Sequence, residues 1–145
     1  MKQMPTIQKY MTPMPHTVGD TIPLQKAFSM MREFRIRHLP VLMNGKLVGI
    51  LTDRDLKLAT SFKSEGELKV EEVMTPDPYS VMPEAPVDQV VLEMAEKKYG
   101  CAVVQQANGK VVGIFTANDG LRVLGEQLAS FYKHNALDTE TRIHS

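Results

Sequence analysis

The chain contains no tryptophan and only one cysteine, and its charges cancel at 17 Lys+Arg against 17 Asp+Glu over 145 residues. Cys101 alone cannot form an intrachain disulfide, which suits a reducing compartment and a cytoplasmic location. Balanced charge argues against a broad nucleic-acid surface, which needs a basic excess. No apolar run reaches membrane-spanning length, and Met1-Lys2-Gln3-Met4-Pro5 has no signal-peptide core, so no membrane association is expected. Catalytic constellations are missing as well. There is no Ser-His-Asp or Cys-His arrangement and no Gly-x-Gly-x-x-Gly, and His16, His38, His134 and His144 lack metal-ligand spacing. Gly45-Lys46 and Gly109-Lys110 lack the rest of a P-loop. A protein that is not an enzyme and holds no metal is the expectation.

The chain does contain a stretch stated twice. Gly45-Lys46-Leu47-Val48-Gly49-Ile50-Leu51-Thr52-Asp53-Arg54-Asp55 returns as Gly109-Lys110-Val111-Val112-Gly113-Ile114-Phe115-Thr116-Ala117-Asn118-Asp119. The interval from Gly45 to Gly109 is too long for a solenoid unit and points to a duplicated small domain. Each copy predicts a glycine turn, an apolar strand, and Thr-x-x-Asp opening a helix, where backbone N–H groups favour an anion. Met11-Thr12-Pro13 likewise returns as Met74-Thr75-Pro76, at nearly the same interval.

Between these motifs the apolar spacing predicts an amphipathic helix through Leu24, Ala27, Phe28, Met31 and Phe34, with Thr21 as N-cap and Pro23 in the first turn. Val87, Val90, Val91 and Met94 repeat the stripe behind Pro86. Met30, Met31 and Met94 are expected in the core or a dimer contact. Asn44-Gly45 and Asn108-Gly109 then mark hairpins between apolar segments. Matching Leu39 to Cys101 and Gly45 to Gly109 makes the second hairpin longer by two, at Gln105 to Ala107. Helices follow near Asp53–Thr60 and Asn118–Tyr132, the second interrupted by Gly125 and striped with Leu121, Leu124, Leu128 and Phe131.

Each half therefore reads strand, helix, strand, strand, helix: an α+β fold with about three strands per half. At roughly 60 residues each half is marginal alone. Packing the two sheets face to face, in an α/β sandwich-like arrangement with pseudo-two-fold symmetry, would bury one core and leave two equivalent crevices. A polar linker at Ser61 to Leu68 and a loose tail at His134 to Ser145 complete the chain.

Tandem Met-Thr-Pro, His38-Leu39-Pro40-Val41 and Gly-x-x-Thr-x-x-Asp resemble a CBS-domain pair, or Bateman module, over about Tyr10 to Leu124. The resemblance implies residues 1–9 as a lead-in, 10–60 and 70–124 as the repeats, 61–69 as linker, and 125–145 as helix extension and tail. It also implies a regulatory ligand sensor whose crevices hold AMP, ADP, ATP or S-adenosylmethionine, working as a homodimer or on a regulated protein partner. By the same resemblance Asp55 and Asp119 accept ribose hydroxyls, while Thr52 and Thr116 meet ribose or phosphate. Thr12 and Thr75 line the base. Arg37 and His38, before Pro40, fall where cations often meet phosphates, and Arg54 is another phosphate candidate. The second copy departs, with Tyr99-Gly100 in place of Arg37-His38 and Ala117-Asn118 in place of Asp53-Arg54. Two unequal sites are expected, with one copy's basic residues able to serve the other's crevice.

Each motif also has a plainer reading. Thr-x-x-Asp is a capping box in its own right. Arg37 and His38 suit a solvated strand end, and Cys101 suits a packed small hydrophobe rather than a nucleophile. The alternative function is a docking module that binds no ligand and acts through the face of its last helix.

Overall fold

The computed structural model of the chain describes residues 3–61 and 68–133. Most of the expected linker and all of the expected tail lie outside them. The elements run α1 (Ile7–Tyr10), β1 (Thr12–Pro13), β2 (Val18–Gly19), α2 (Leu24–Phe34), β3 (His38–Met43), β4 (Lys46–Thr52) and α3 (Asp53–Thr60). The second half repeats them as α4 (Val70–Val73), β5 (Thr75–Pro76), β6 (Ser80–Val81), α5 (Val87–Lys97), β7 (Cys101–Gln105), β8 (Val111–Thr116) and α6 (Ala117–Phe131). Among the described residues no helix is long and apolar enough to cross a membrane.

Each sheet has four strands rather than the expected three, because each half lends its Thr-Pro strand to the other. The orders are β2-β3-β4-β5 and β1-β8-β7-β6. Thr12 pairs with Ile114 and Pro13 with Gly113, while Thr75 pairs with Ile50 and Pro76 with Gly49. Glycine makes this exchange possible. A β-carbon on Gly113 would collide with Met11 Sδ, and one on Gly49 with Met74 Sδ, so the exchanged Met-Thr-Pro strands need bare backbone beneath them. The short helices cross over too: Ile7 is buried in the core of the second half and Val70 in that of the first.

The crossing segments also begin the long helices. Leu24 N–H donates to Leu68 O (2.8 Å), and Val87 N–H donates to Pro5 O (3.0 Å). Pro23 and Pro86 occupy the N-cap positions with no side-chain cap, so Thr21 is not the N-cap. Backbone carbonyls from the opposite half satisfy helix-start donors that a side chain would otherwise take.

The hairpins share Asn-Gly but not geometry. Asn44 (φ 53°) and Gly45 (φ 81°) form the two-residue type I′ loop that requires positive φ twice. In the second hairpin only Gly109 (φ 87°) is left-handed, and Gln106 N–H donates to Lys110 O across a three-residue loop. That hairpin is longer by one, not by two. His38 pairs with Thr52 as Cys101 pairs with Thr116, so β3 matches β7 with Cys101 at the place of His38 and Ala102 at that of Leu39. Gly100-Cys101, rather than Tyr99-Gly100, therefore stands where the first half has Arg37-His38.

Three cores result instead of one. Leu39, Val41 and Leu51 turn toward α2, α3 and α4, and Ala102, Val104 and Phe115 toward α1 and α5. The opposite strand faces meet between the sheets through Ile50, Cys101, Val103 and Ile114. Strands buried on both faces account for the unbroken apolar runs of β3 and β7. Met31 and Met94 are core residues, and Met30 packs partly against the first core. α6 runs straight through Gly125.

Candidate functional site

Thr52 and Thr116 end their strands in extended conformation and cap α3 and α6. Thr52 N–H donates to Asp55 Oδ2 (3.0 Å) while Asp55 N–H donates to Thr52 Oγ1 (3.1 Å). Thr116 N–H donates to Asp119 Oδ2 (2.8 Å) while Asp119 N–H donates to Thr116 Oγ1 (3.2 Å). The capping reading is thus correct for both copies. Each box uses one carboxylate oxygen, and a carboxylate has acceptor capacity beyond that. Asp119 Oδ1 also meets the exposed Arg122 at 3.2 Å, a solvent-screened pair of small worth.

The crossed strands bring these groups to a cavity of about 550 Å³ between the halves. Arg37 and His38 enter it from the first half, and Thr116, Asn118 and Asp119 from the second. Thr12 joins them because β1 belongs to the second sheet. Six of the residues singled out in the sequence therefore meet in one place. Pro40 is fully buried in β3 and is not part of the wall. Thr52, Arg54, Asp55 and Thr75 are also absent from it. Thr52 caps α3 and Arg54 and Asp55 lie in its first turn, while Thr75 stands on β5 paired with Ile50.

The wall includes residues that motif reading passed over, chiefly His16, Arg35, Ile36 and Gly100. Arg35 ends α2 in the left-handed conformation (φ 55°, ψ 44°), as Lys98 (φ 61°) ends α5. A cation at the place where glycine usually ends a helix was the available signal. His16 stacks on Phe34 with ring centroids 3.8 Å apart. Gly100 leaves room for the imidazole, since a β-carbon there would stand 2.8 Å from His38 Nε2.

Burial holds the His38 pKa below its ordinary 6.5; the Asp53 carboxylate pulls it back up, Arg37 pushes it down, and Asp55 raises it more weakly. His38 is accordingly neutral at pH 7, a hydrogen-bonding group rather than the cation its motif position suggests. Cys101, its counterpart, is buried between the sheets, and burial pushes its thiol up to about 12. A thiol that stays protonated is a packed small hydrophobe, not a nucleophile. In the second half Tyr79 and Tyr99 stack at 5.0 Å, and burial, with Glu93 next, raises the Tyr79 pKa.

Comparison with known proteins places this arrangement. The model of the CBS domain matches residues 7–61 and again residues 70–126. The protein AcuB of Vibrio cholerae, described as a putative acetoin utilization protein, superposes with a TM-score of 0.79 at 34% identity, covering 90% of this chain and 98% of that one. The CBS domain pair of protein MJ0100, solved with 5′-methylthioadenosine and S-adenosyl-L-methionine, gives a TM-score of 0.79 at 28% identity over 86% of this chain and 99% of that one. The protein CBSX2, of Arabidopsis thaliana, solved with AMP, gives 0.72 at 28% identity over 83% and 96%.

Among curated relatives, inosine-5′-monophosphate dehydrogenase of Korarchaeum cryptofilum is 37% identical over 103 residues, 71% of this chain and 21% of that enzyme. Homoserine O-acetyltransferase of Methanohalobium evestigatum is matched over 22% of its length, so the chain spans about a fifth of these enzymes. Two matched repeats, two crossed four-stranded sheets and a cavity at their junction leave one conclusion: this chain belongs to the CBS-domain family and is a tandem CBS pair.

Proposed function

We propose that this chain is a non-catalytic, cytoplasmic regulatory module that binds an adenosine-containing ligand (AMP, ADP, ATP or S-adenosylmethionine) in the crevices between its repeats. The observation that carries this reading is the shared cavity. Arg37 and His38 of one half and Thr116, Asn118 and Asp119 of the other line the same 550 Å³ space, a volume suited to a nucleoside-sized molecule. Asp119, anchored through Oδ2 to the Thr116 N–H, keeps acceptor capacity for ribose hydroxyls. Thr12 stands on the strand edge beside Ile114, suited to the base. Asn118 lies in the first turn of α6, after Ala117. Thr52, Arg54, Asp55 and Thr75 form the related crevice at the start of α3, where Asp55 has the role of Asp119.

A ligand that touches both halves stabilises one relative arrangement of them and shifts the population toward it. A thermal-shift panel with AMP, ADP, ATP and S-adenosylmethionine on ligand-free protein tests the reading. A true ligand at about 100 times its dissociation constant adds roughly 2.7 kcal/mol. Asp119→Ala weakens binding at its own crevice and so reduces that shift. No shift with any of the four overturns the sensor reading.

One further observation favours self-association. α6 has no buried residue, yet Leu121, Leu124, Leu128 and Phe131 form a single stripe along it, and Phe131 is 72% exposed. Leu92 of the neighbouring α5 is 67% exposed. An amphipathic helix whose apolar face is left this open suits pairing of two copies through that face. Should no nucleotide bind, the same face supports the docking-module reading, with a regulated protein as partner.

A further inference from the structure

The fold sorts its methionines by exposure and by what each one touches. Met31 and Met94 are buried in the two helix-facing cores. Met14, Met43 and Met82 are exposed, Met14 at 89%. Met11 and Met74 differ from both groups. Each is partly exposed, yet each lays its thioether on a glycine of the opposite repeat. Where a Gly113 β-carbon would stand, Met11 Sδ, Cγ (2.9 Å) and Cε (3.1 Å) already fill the space. At Gly49 the same point lies 2.9 Å from Met74 Cγ and 3.0 Å from Thr75 O.

These two seats hold very short strands. β1 and β5 have two residues each, and one of the two is proline, which has no N–H to give a ladder hydrogen bond. Each strand therefore leans on its methionine, and the side chains of Met11 and Met74 also pack against the second and first cores. From Met11 the chain runs directly into Thr12, Pro15 and His16, three residues of the cavity wall. Ile114, next to Gly113 and paired with Thr12, is a fourth. The seat of Met11 thus fixes one side of the cavity.

We propose that Met11 and Met74 are oxidation sites, at which a hydroperoxide converts the thioether to the sulfoxide, loosens the exchanged strand and, through Met11, slackens the cavity wall. This is independent of what the cavity binds. A sulfur lone pair takes the terminal oxygen of the hydroperoxide. An S–O bond forms and the O–O bond breaks; sulfur loses two electrons, and the peroxide gains them and leaves, with its proton, as an alcohol or as water. Partial exposure gives the oxidant a path to the sulfur. The product is polar and chiral where the thioether was apolar and pliable, and its oxygen calls for a hydrogen-bond donor. On the glycine side of Met74 that oxygen meets Thr75 O, an acceptor. Turned the other way, it still sets a strong dipole against the apolar core on which the residue packs. Met14, three residues beyond Met11 and in open water, is the internal reference whose oxidation changes nothing.

Graded hydrogen peroxide on the full chain decides it, with peptide mass spectrometry following each methionine and the melting temperature read at every step. Met14 is converted first, without effect. As Met11 and Met74 are converted, the melting temperature falls by about 5 °C or more, and amide exchange quickens over residues 11–16 and 74–79. Methionine sulfoxide reductase restores both. Met11→Leu with Met74→Leu conserves volume and cannot be oxidised, so at the same dose its melting temperature holds within about 1 °C. Met11→Gln, polar at similar length, shows the faster exchange over residues 11–16 with no oxidant. Met11 and Met74 still unoxidised when Met14 is fully converted overturns the proposal. So does their conversion without a fall in melting temperature, a fall that tracks Met14 instead, or an equal fall in the Leu variant. All but the last are read on the parent chain and need no variant to fold.

Discussion

Met11 lies directly over Gly113, although the two are far apart in the chain and belong to different repeats. Its counterpart Met74 lies over Gly49. The Met-Thr-Pro and Gly-x-x-Thr motifs are therefore two halves of one contact made across the repeats. Thr-Pro supplies the edge strand, and glycine supplies the space its methionine fills.

Gly113→Ala is expected to destabilise the fold by about 1–3 kcal/mol, because a β-carbon there forces Met11 out of place. Met11→Ala in the same chain recovers part of that loss, giving a non-additive double-mutant cycle in urea unfolding. Additive effects would separate the two residues.

The capping boxes should have ordinary worth. Thr52→Ala and Thr116→Ala each remove an acceptor for a helix-start N–H and cost about 1 kcal/mol in unfolding free energy. Substitution by Ser retains most of it. A loss several times larger for Thr116→Ala would mean that Thr116 does more than start α6.

His38 makes stability depend on pH in one direction. Burial lowers its folded pKa below 6.5 against the pull of Asp53 and Asp55 and with the push of Arg37. As pH falls through 6.5 the unfolded chain takes up the proton first, so stability is lost in acid and the group contributes nothing above neutrality. Melting temperatures between about pH 7.5 and pH 5 should fall less steeply for His38→Gln than for the parent. An imidazole that titrates above 6.5 in NMR would reverse the sign.

Cys101 should be silent in the native state. With its pKa at about 12, it carries almost no thiolate at neutral pH, and it lies between the sheets. A thiol reagent should label it only at the rate of unfolding, and denaturant should raise labelling and loss of structure together. Since the unfolded thiol ionises near 9.0, stability declines as pH rises above that value toward 12. Rapid native labelling would place the sulfur at the surface.

The α6 stripe carries the self-association reading. Leu124→Glu with Leu128→Glu should leave the melting temperature of the isolated chain near its parent value, because both residues are about half exposed. In sedimentation velocity the double variant should run as a monomer where the parent runs as a dimer. A parent that is monomeric at high concentration would remove the reading.

The sequence by itself determined the duplication, the order of the main strands and helices, the helix starts at Thr52 and Thr116, and the family. Those features rest on local chemistry: apolar period, turn residues and capping spacing act within a few positions. It did not reveal that α1, β1, α4 and β5 cross over, because which sheet a two-residue strand joins depends on a glycine far away in the chain. Asn44-Gly45 and Asn108-Gly109 are the same dipeptide in different loops, since one extra residue in the second hairpin changes the turn. That residue also shifted the alignment of the halves, pairing His38 with Cys101 instead of Gly100. Tertiary structure alone decided that Arg37 and Asp119 share a cavity and that burial leaves His38 neutral. Both follow from bringing distant segments together out of water, where the neighbours a side chain acquires, and not its position in a motif, set its charge and its reach.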